Sequence, residues 1–371
     1  MGVARRYMRT IKCIVAAFFF YSGLLYLVAR LKTMLGGAEV KILCYHRIFA
    51  NRKEVEEYPF KAMAISVENF EKQIQFLAKK FRVIPLREAA SILKRRRITE
   101  HLAVITFDDG YFDIFQYCLS TLRKHNIPAT VFLSIDPVEN TSQLWFDRVA
   151  SLQSKKIEWK KLEQELSQRL SPDGVTALSQ ILPQGQDITR ENIVKAVSFL
   201  KGLPNCQREF AIRALEGCTY PNASETKDQV RYLSWEEVKE LAESGITLGA
   251  HTMSHPILTK CDPAKAFLEI GGAKEELEKR LEKPILEFAY PNGDYNCSVQ
   301  QIVIDCGFTC AVTIGNRGNT SARNLFALQR LNVSDQMMTG LSGKFSPALF
   351  ACHLFGLFDF LKARDRVGHE E

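Results

Sequence analysis

At 371 residues the chain is long for one domain but within reach of a barrel-like α/β domain that carries insertions. Hydrophobic residues make up 46% and charged residues 25%, which excludes a disordered chain and allows a sizeable core. The net charge of +7 is spread along the chain with no basic block interleaved with aromatics, so nucleic acid is not an indicated partner. The ten cysteines include no C-x-x-C pair, and the one close set, Cys306 and Cys310, has no matching second pair. That spacing argues against a zinc ribbon, and the scatter does not resemble a secreted disulfide framework.

In chain order, Arg5, Arg6, Arg9 and Lys12 precede an apolar run over residues 13–29, and Arg30 and Lys32 close it. This length is at the short end of a membrane span, and no clear cleavage site follows, so residues 1–32 read as a signal anchor or transmembrane helix. Four basic residues before the run against two after it place the amino terminus in the cytoplasm. The expectation is a single-pass protein of the inner (cytoplasmic) membrane, with the rest of the chain on the outer, periplasmic or extracellular, side.

Residues 41–46 (KILCYH) read as a strand, and residues 67–80 as a helix with Phe70, Ile74, Leu77 and Ala78 on one face. A short strand at 81–85 and a helix at 86–94 follow, completing an N-terminal part of the barrel over residues 33–100. The main domain is expected over 101–340. It begins with the strand 103–107, a helix at 113–125 and a strand at 129–134. From about 140 to 231 the chain is polar with a mostly helical pattern, read as a helical insertion or lid. Ser234 and Glu237 then form a capping-box signature for a helix that Gly245 stops. Strands at 246–250, 285–290, 308–314 and 326–333 alternate with helices at 263–282 and 298–306, the rhythm of a parallel sheet or barrel. Residues 341–371 are expected to form an amphipathic helix and tail, packed on the domain or lying in a membrane interface.

Three stretches carry chemistry. TFDDGY, residues 106–111, sets Asp108 and Asp109 side by side straight after a buried strand. Adjacent buried carboxylates repel and demand a positive partner. The bland alternative is a helix N-cap, which needs only one acid. HTMSHP, residues 251–256, places His251 and His255 four apart, facing the same way if they share a helical turn. With one aspartate they make three ligands for zinc or another divalent first-row ion and leave a position open for water. The second aspartate is then free to act as general base. FAYPNGDY, residues 288–295, is a proline–glycine turn that either serves only as a turn or presents backbone N–H groups to an oxyanion.

Together these stretches resemble the NodB-like polysaccharide deacetylases, the carbohydrate esterase family that removes acetyl groups from sugars, over about residues 41–333. The resemblance implies a distorted (β/α) barrel of the NodB homology type with fewer than eight regular repeats. It implies Asp108 as general base, Asp109, His251 and His255 as ligands of a divalent metal, with Zn2+ the first expectation, and Asn292 as backbone oxyanion donor. Tyr45-His46-Arg47 resembles the YHR element of the exopolysaccharide deacetylase branch, making His46 a candidate acid or a residue lining the site. Tyr111, Tyr290, Pro291 and Trp145, the last in a Trp-Phe-Asp element, are candidate substrate contacts. Trp145 reads equally as core, and His46 equally as a packed histidine.

The sequence departs from the family pattern twice. Ala289 stands where many members carry an arginine that braces the base, and residues 326–333 show no histidine acid; His353 is a poor substitute. The activity implied is hydrolysis of an acyl–nitrogen bond on a cell-surface or exported acetylated polysaccharide. A deacylase or deformylase of a lipid-linked sugar, a peptidoglycan deacetylase and an inactive glycan-binding scaffold are the alternatives.

Overall fold

The computed structural model describes residues 2–95, 98–140, 142–220, 230–315, 318–320 and 324–358. Its centre is a parallel barrel of seven strands: β1 (Val40–Tyr45), β2 (Leu102–Phe107), β3 (Thr130–Leu133), β4 (Thr247–Ala250), β5 (Glu287–Ala289), β6 (Cys310–Ile314) and β7 (Leu328–Asn332). They run β1-β7-β6-β5-β4-β3-β2, and β2 pairs back onto β1 to close the ring. A two-residue strand, Arg82–Val83, adds to the start of β2. Strand β1 is buried along its whole length, as is β2. Both faces of such strands are covered, so the sequence shows continuous apolar runs rather than alternation. The expectation of fewer than eight repeats holds, and β1 belongs to the same closed barrel as the strands of the expected main domain.

Register fixes what gathers at the mouth. Tyr45 pairs with Phe107 across β1 and β2, so the next residues, His46 and Asp108, leave the barrel side by side. The β1–β7 pairing sets Ile42 against Arg330 and Cys44 against Asn332. In a parallel barrel the carboxyl ends of all strands open on one face, and side chains there converge.

Five helices matter below: α1 (Gly2–Tyr21), α2 (Leu24–Met34), α3 (Trp145–Ala150), α4 (Pro263–Leu281) and α5 (Pro347–Leu354). The insertion is helical as expected, apart from a two-residue antiparallel pairing of Lys156–Ile157 with Thr219–Tyr220. It builds its own core from residues such as Leu162, Leu178, Ile193, Leu200 and Leu215. That core runs up to Tyr111, Trp145 and Phe146, so the insertion packs directly behind the barrel mouth. All ten cysteines are free thiols.

At the amino end the expected single span is broken. Among the described residues no single helix is long and apolar enough to cross a membrane; instead Tyr7–Tyr21 and Leu24–Met34 meet at a bend of 71°. Gly23, with φ 77°, makes the break. At the carboxyl end α5 packs on the domain and against α1, and the tail beyond residue 358 lies outside the described residues.

Candidate metal and catalytic centre

The three sequence stretches meet at the barrel mouth, each leaving its strand through a left-handed turn. Four of the seven non-glycine residues with positive φ among the described residues lie here: Asp109 (71°), Thr252 (70°), His255 (57°) and Asn292 (56°). Such conformations cost energy and persist where the surroundings over-determine them, most often at functional sites. Glycine is required at two neighbouring positions. A Cβ on Gly110 (φ 78°) would sit 2.9 Å from Leu133 Cδ2, and one on Gly293 (φ 77°) would sit 2.6 Å from the Ile314 nitrogen.

The two histidines do not share a helical turn. Residues 251–257 form a loop, and its two left-handed residues fold His255 back toward His251, ring centroids 4.8 Å apart. Thr252 Oγ1 accepts from the His255 N–H. Buried Glu269 of α4 accepts from the Ser254 N–H and hydroxyl, both at 2.8 Å, and so clamps the loop from outside. The four-residue spacing pointed to the right pair for a geometry the chain does not use.

Asp109 Oδ1 lies 3.5 Å from His251 Nε2 and 3.4 Å from His255 Nε2. All three residues are buried, and neither Asp109 oxygen has a hydrogen-bond partner. A buried carboxylate left without hydrogen bonds is costly, and the cost is met when a cation takes the place of donors. Ligand atoms about 2.1 Å from a tetrahedral zinc lie about 3.4 Å from one another, so the donor set fits such an ion. The tautomer also suits: the Ala289 carbonyl sits 2.7 Å from His251 Nδ1, which directs Nε2 at Asp109. Burial pushes His255 down to about 3, leaving a neutral imidazole able to ligate. His251 moves the other way, because Asp108 and Asp109 outweigh its burial.

Asp108 has a different partner. Arg330, fully buried on β7, grips it with two parallel bonds, Nη1 to Oδ1 and Nη2 to Oδ2, each 2.6 Å. Nη1 also reaches Thr106 Oγ1 at 3.2 Å. Burial opposes charge on Asp108, but Arg330, followed by His251, holds the carboxyl well below the ordinary carboxylate range. This is the brace that the sequence lacked at Ala289, supplied from another strand. It was legible in part: an arginine inside the apolar run LQRLNV needs a buried acid. Around the free side of the carboxylate stand Cys44, with Sγ 3.5 Å from Oδ2, and His46, with Nε2 3.9 Å from Oδ2. Burial lowers the His46 pKa, against the pull of Asp109 and Asp108.

Asn292 lies in the Pro291–Gly293 turn at the same mouth. The candidate substrate contacts are largely interior. Tyr290 has no exposed surface and its hydroxyl donates to the Phe326 carbonyl at 3.0 Å; Pro291 is buried. Tyr111 is likewise fully buried, and its hydroxyl donates to Asp147 Oδ2 at 2.7 Å. Trp145 packs in the insertion core with the Arg208 guanidinium over its ring at 4.8 Å.

Asp147, the acid of the Trp-Phe-Asp element, gathers this region. It also accepts from Tyr232 at 2.5 Å and Tyr58 at 3.4 Å. Burial pushes its carboxyl up to about 6. One residue earlier Phe146 sets its ring against His255, centroids 5.3 Å apart. The Trp-Phe-Asp element therefore ties the insertion to the loop that carries His251 and His255.

A family model described as Polysaccharide deacetylase matches residues 95–311, more than half of the chain. YxkH of Bacillus subtilis (strain 168), named as a polysaccharide deacetylase, is 25% identical over 114 residues; the alignment covers 31% of this chain and 41% of that protein. Among solved structures, the Streptococcus pyogenes deacetylase PplD in complex with acetate superposes with a TM-score of 0.54 at 18% identity, covering 85% of this chain and 98% of that one. IcaB from Ammonifex degensii gives 0.50 at 17% identity, covering 86% and 98%. At these identities the structures speak for the fold alone, and the fold they share is the barrel described above. The chain belongs to the polysaccharide deacetylases, a family of hydrolases.

Proposed function

We propose that the chain is a divalent-metal-dependent hydrolase that removes N-acetyl, or another short acyl group, from an amino sugar. The observation that carries this reading is the hydrogen-bond-free Asp109 carboxylate facing two imidazole Nε2 atoms, beside an aspartate braced by a buried arginine. Asp109, His251 and His255 would hold the ion, with Zn2+ the first choice for two nitrogens and an oxygen. When bound, such an ion polarises the acyl carbonyl and eases deprotonation of water.

The chain's own groups supply the rest. Asp108, kept ionised by Arg330, accepts the proton of the water that attacks the acyl carbon. The Asn292 backbone N–H donates to the oxyanion that develops on the former carbonyl oxygen. The carbon–nitrogen bond breaks as the amine takes up a proton, returned by Asp108 or passed on by His46. The products are a carboxylate and a free amino sugar. Cell-surface or exported polysaccharide is the first substrate class, and a lipid-linked sugar is the alternative. The same proposal places the barrel at the cytoplasmic membrane, held by the helices before β1.

The test is release of acetate from acetylated glucosamine oligomers by the purified chain. Release that is abolished by a chelator and restored by zinc or cobalt is the expected result. No release from oligomers or from a lipid-linked acetamido sugar, with the metal present, would overturn the reading.

A further inference from the structure

Eleven of the nineteen large apolar side chains exposed among the described residues lie between Tyr7 and Leu35. They include Ile14 at 61%, Phe18 at 62%, Tyr21 at 75%, Leu27 at 55% and Met34 at 74%. An apolar surface so concentrated marks an interaction site rather than ordinary exposure. The opposite side of the same helices is packed: Ala16 and Leu25 are buried against Ala348, Leu349 and Cys352 of α5. The pair is thus one-sided, fixed to the domain by one face and bare on the other.

Its ends decide what kind of membrane contact it can make. Near the start, Arg9 Nη2 donates to Thr339 Oγ1 at 3.0 Å and to the Thr339 carbonyl at 3.2 Å. At the other end Lys32 pairs with Glu39, which also pairs with Lys41 of β1 at 3.0 Å. The excursion therefore leaves the domain and returns to it. The part of α1 apolar enough to enter a bilayer, Tyr7–Tyr21, is about 22 Å long and α2 about 16 Å at 1.5 Å per residue, each shorter than the hydrocarbon core of about 30 Å. Bent by 71°, the two do not add up to one crossing. A single-pass arrangement would carry Arg9 to the far side of the bilayer and break its bonds to Thr339.

We infer that α1 and α2 form a re-entrant, membrane-embedded helix pair that dips into one leaflet and leaves both of its flanks on the same face as the barrel. The occupant of the bare surface is lipid. The pair is apolar enough in length and composition to enter a bilayer, and basic residues flank it, Arg9 and Lys12 on one side and Arg30 and Lys32 on the other. Such flanks suit anionic headgroups. Only the short segment between Leu35 and Glu39 separates α2 from the first barrel strand, which confines the barrel to within reach of membrane-borne substrates.

The test is topology, independent of catalytic activity. In membrane vesicles of both orientations, Tyr7→Cys (in a Cys206→Ser, Cys297→Ser background) is labelled with a membrane-impermeant maleimide, beside wild type labelled at its exposed Cys206 and Cys297. Labelling of both in the same vesicle preparation is the expected result. Labelling in opposite preparations would establish a single-pass span and overturn the inference, as would a wild-type chain that stays in the soluble fraction. In addition, Ile14→Glu with Phe18→Glu is expected to move the chain out of the membrane pellet, while Leu341→Glu, at another exposed apolar residue, leaves it there. Retention of the double variant in the pellet would also count against the pair as the membrane contact.

Discussion

Asp108→Asn is expected to lower kcat/KM for acyl release by about 10²- to 10⁴-fold, the usual contribution of a positioned general base. The substitution keeps the shape of the side chain and one acceptor oxygen for Arg330. It removes the ability to take a proton, and it sets an amide NH2 against the second guanidinium nitrogen. Metal content is expected to stay unchanged, because in the proposed site the ligand carboxylate is that of Asp109. Acyl release within tenfold of wild type would show that another group accepts the proton. His46 and Cys44 stand close enough to be the next candidates.

Arg330→Met carries the second large effect, in stability as well as in rate. The guanidinium is fully buried and bonded to both Asp108 oxygens. Removing one member of a buried, hydrogen-bonded ion pair typically costs about 3–5 kcal/mol, because the other charge is left in a medium that cannot solvate it. The pH dependence has a definite sign. In the wild type the folded-state pKa of Asp108 lies below its unfolded value of about 3.9, so the pair stabilises the fold above that pH and the contribution is lost on acidification. In the variant, burial is opposed only by His251 and His46, so the pKa is expected to rise and charging the carboxyl costs stability as pH rises. The stability gap between the two proteins, measured by denaturant unfolding, is therefore expected to be widest near pH 7 and to narrow below pH ~4. A gap that does not change with pH would mean that the arginine stabilises by packing alone. Arg330→Lys keeps the charge but not the two-pronged geometry, and is expected to recover part of the stability and little of the rate.

The barrel was legible because continuous apolar runs and helical periods alternate along the chain, and because both chemical stretches follow strands. In a parallel barrel that alone brings Asp108, Asp109, His251 and His255 to one face. What the sequence hid was long-range or conformational. The brace on Asp108 comes from a residue 222 positions away, through the β1–β2 and β1–β7 registers, and no local pattern encodes that pairing. The H-x3-H spacing suggested a helix, yet Thr252 and His255 take left-handed conformations that a helical period cannot represent. Tyr111 and Trp145 were candidate sugar contacts, Trp145 equally a core residue. They are interior because the insertion, itself recognisable only as a polar helical stretch, folds its core against them. The network around Asp147 was hidden because its three tyrosine partners are spread from residue 58 to residue 232. The break at Gly23 was there to be read within an apolar run that was taken as continuous.

The most direct measurement is the metal content of the purified full-length chain, wild type beside His255→Ala, after exposure to zinc or cobalt and removal of excess ion. About one tightly held divalent ion per chain, lost in the variant while the far-ultraviolet circular dichroism is unchanged, is the predicted result. A wild-type chain that holds no ion would contradict the account, for it would leave the buried Asp109 carboxylate without the partner on which the proposed chemistry depends.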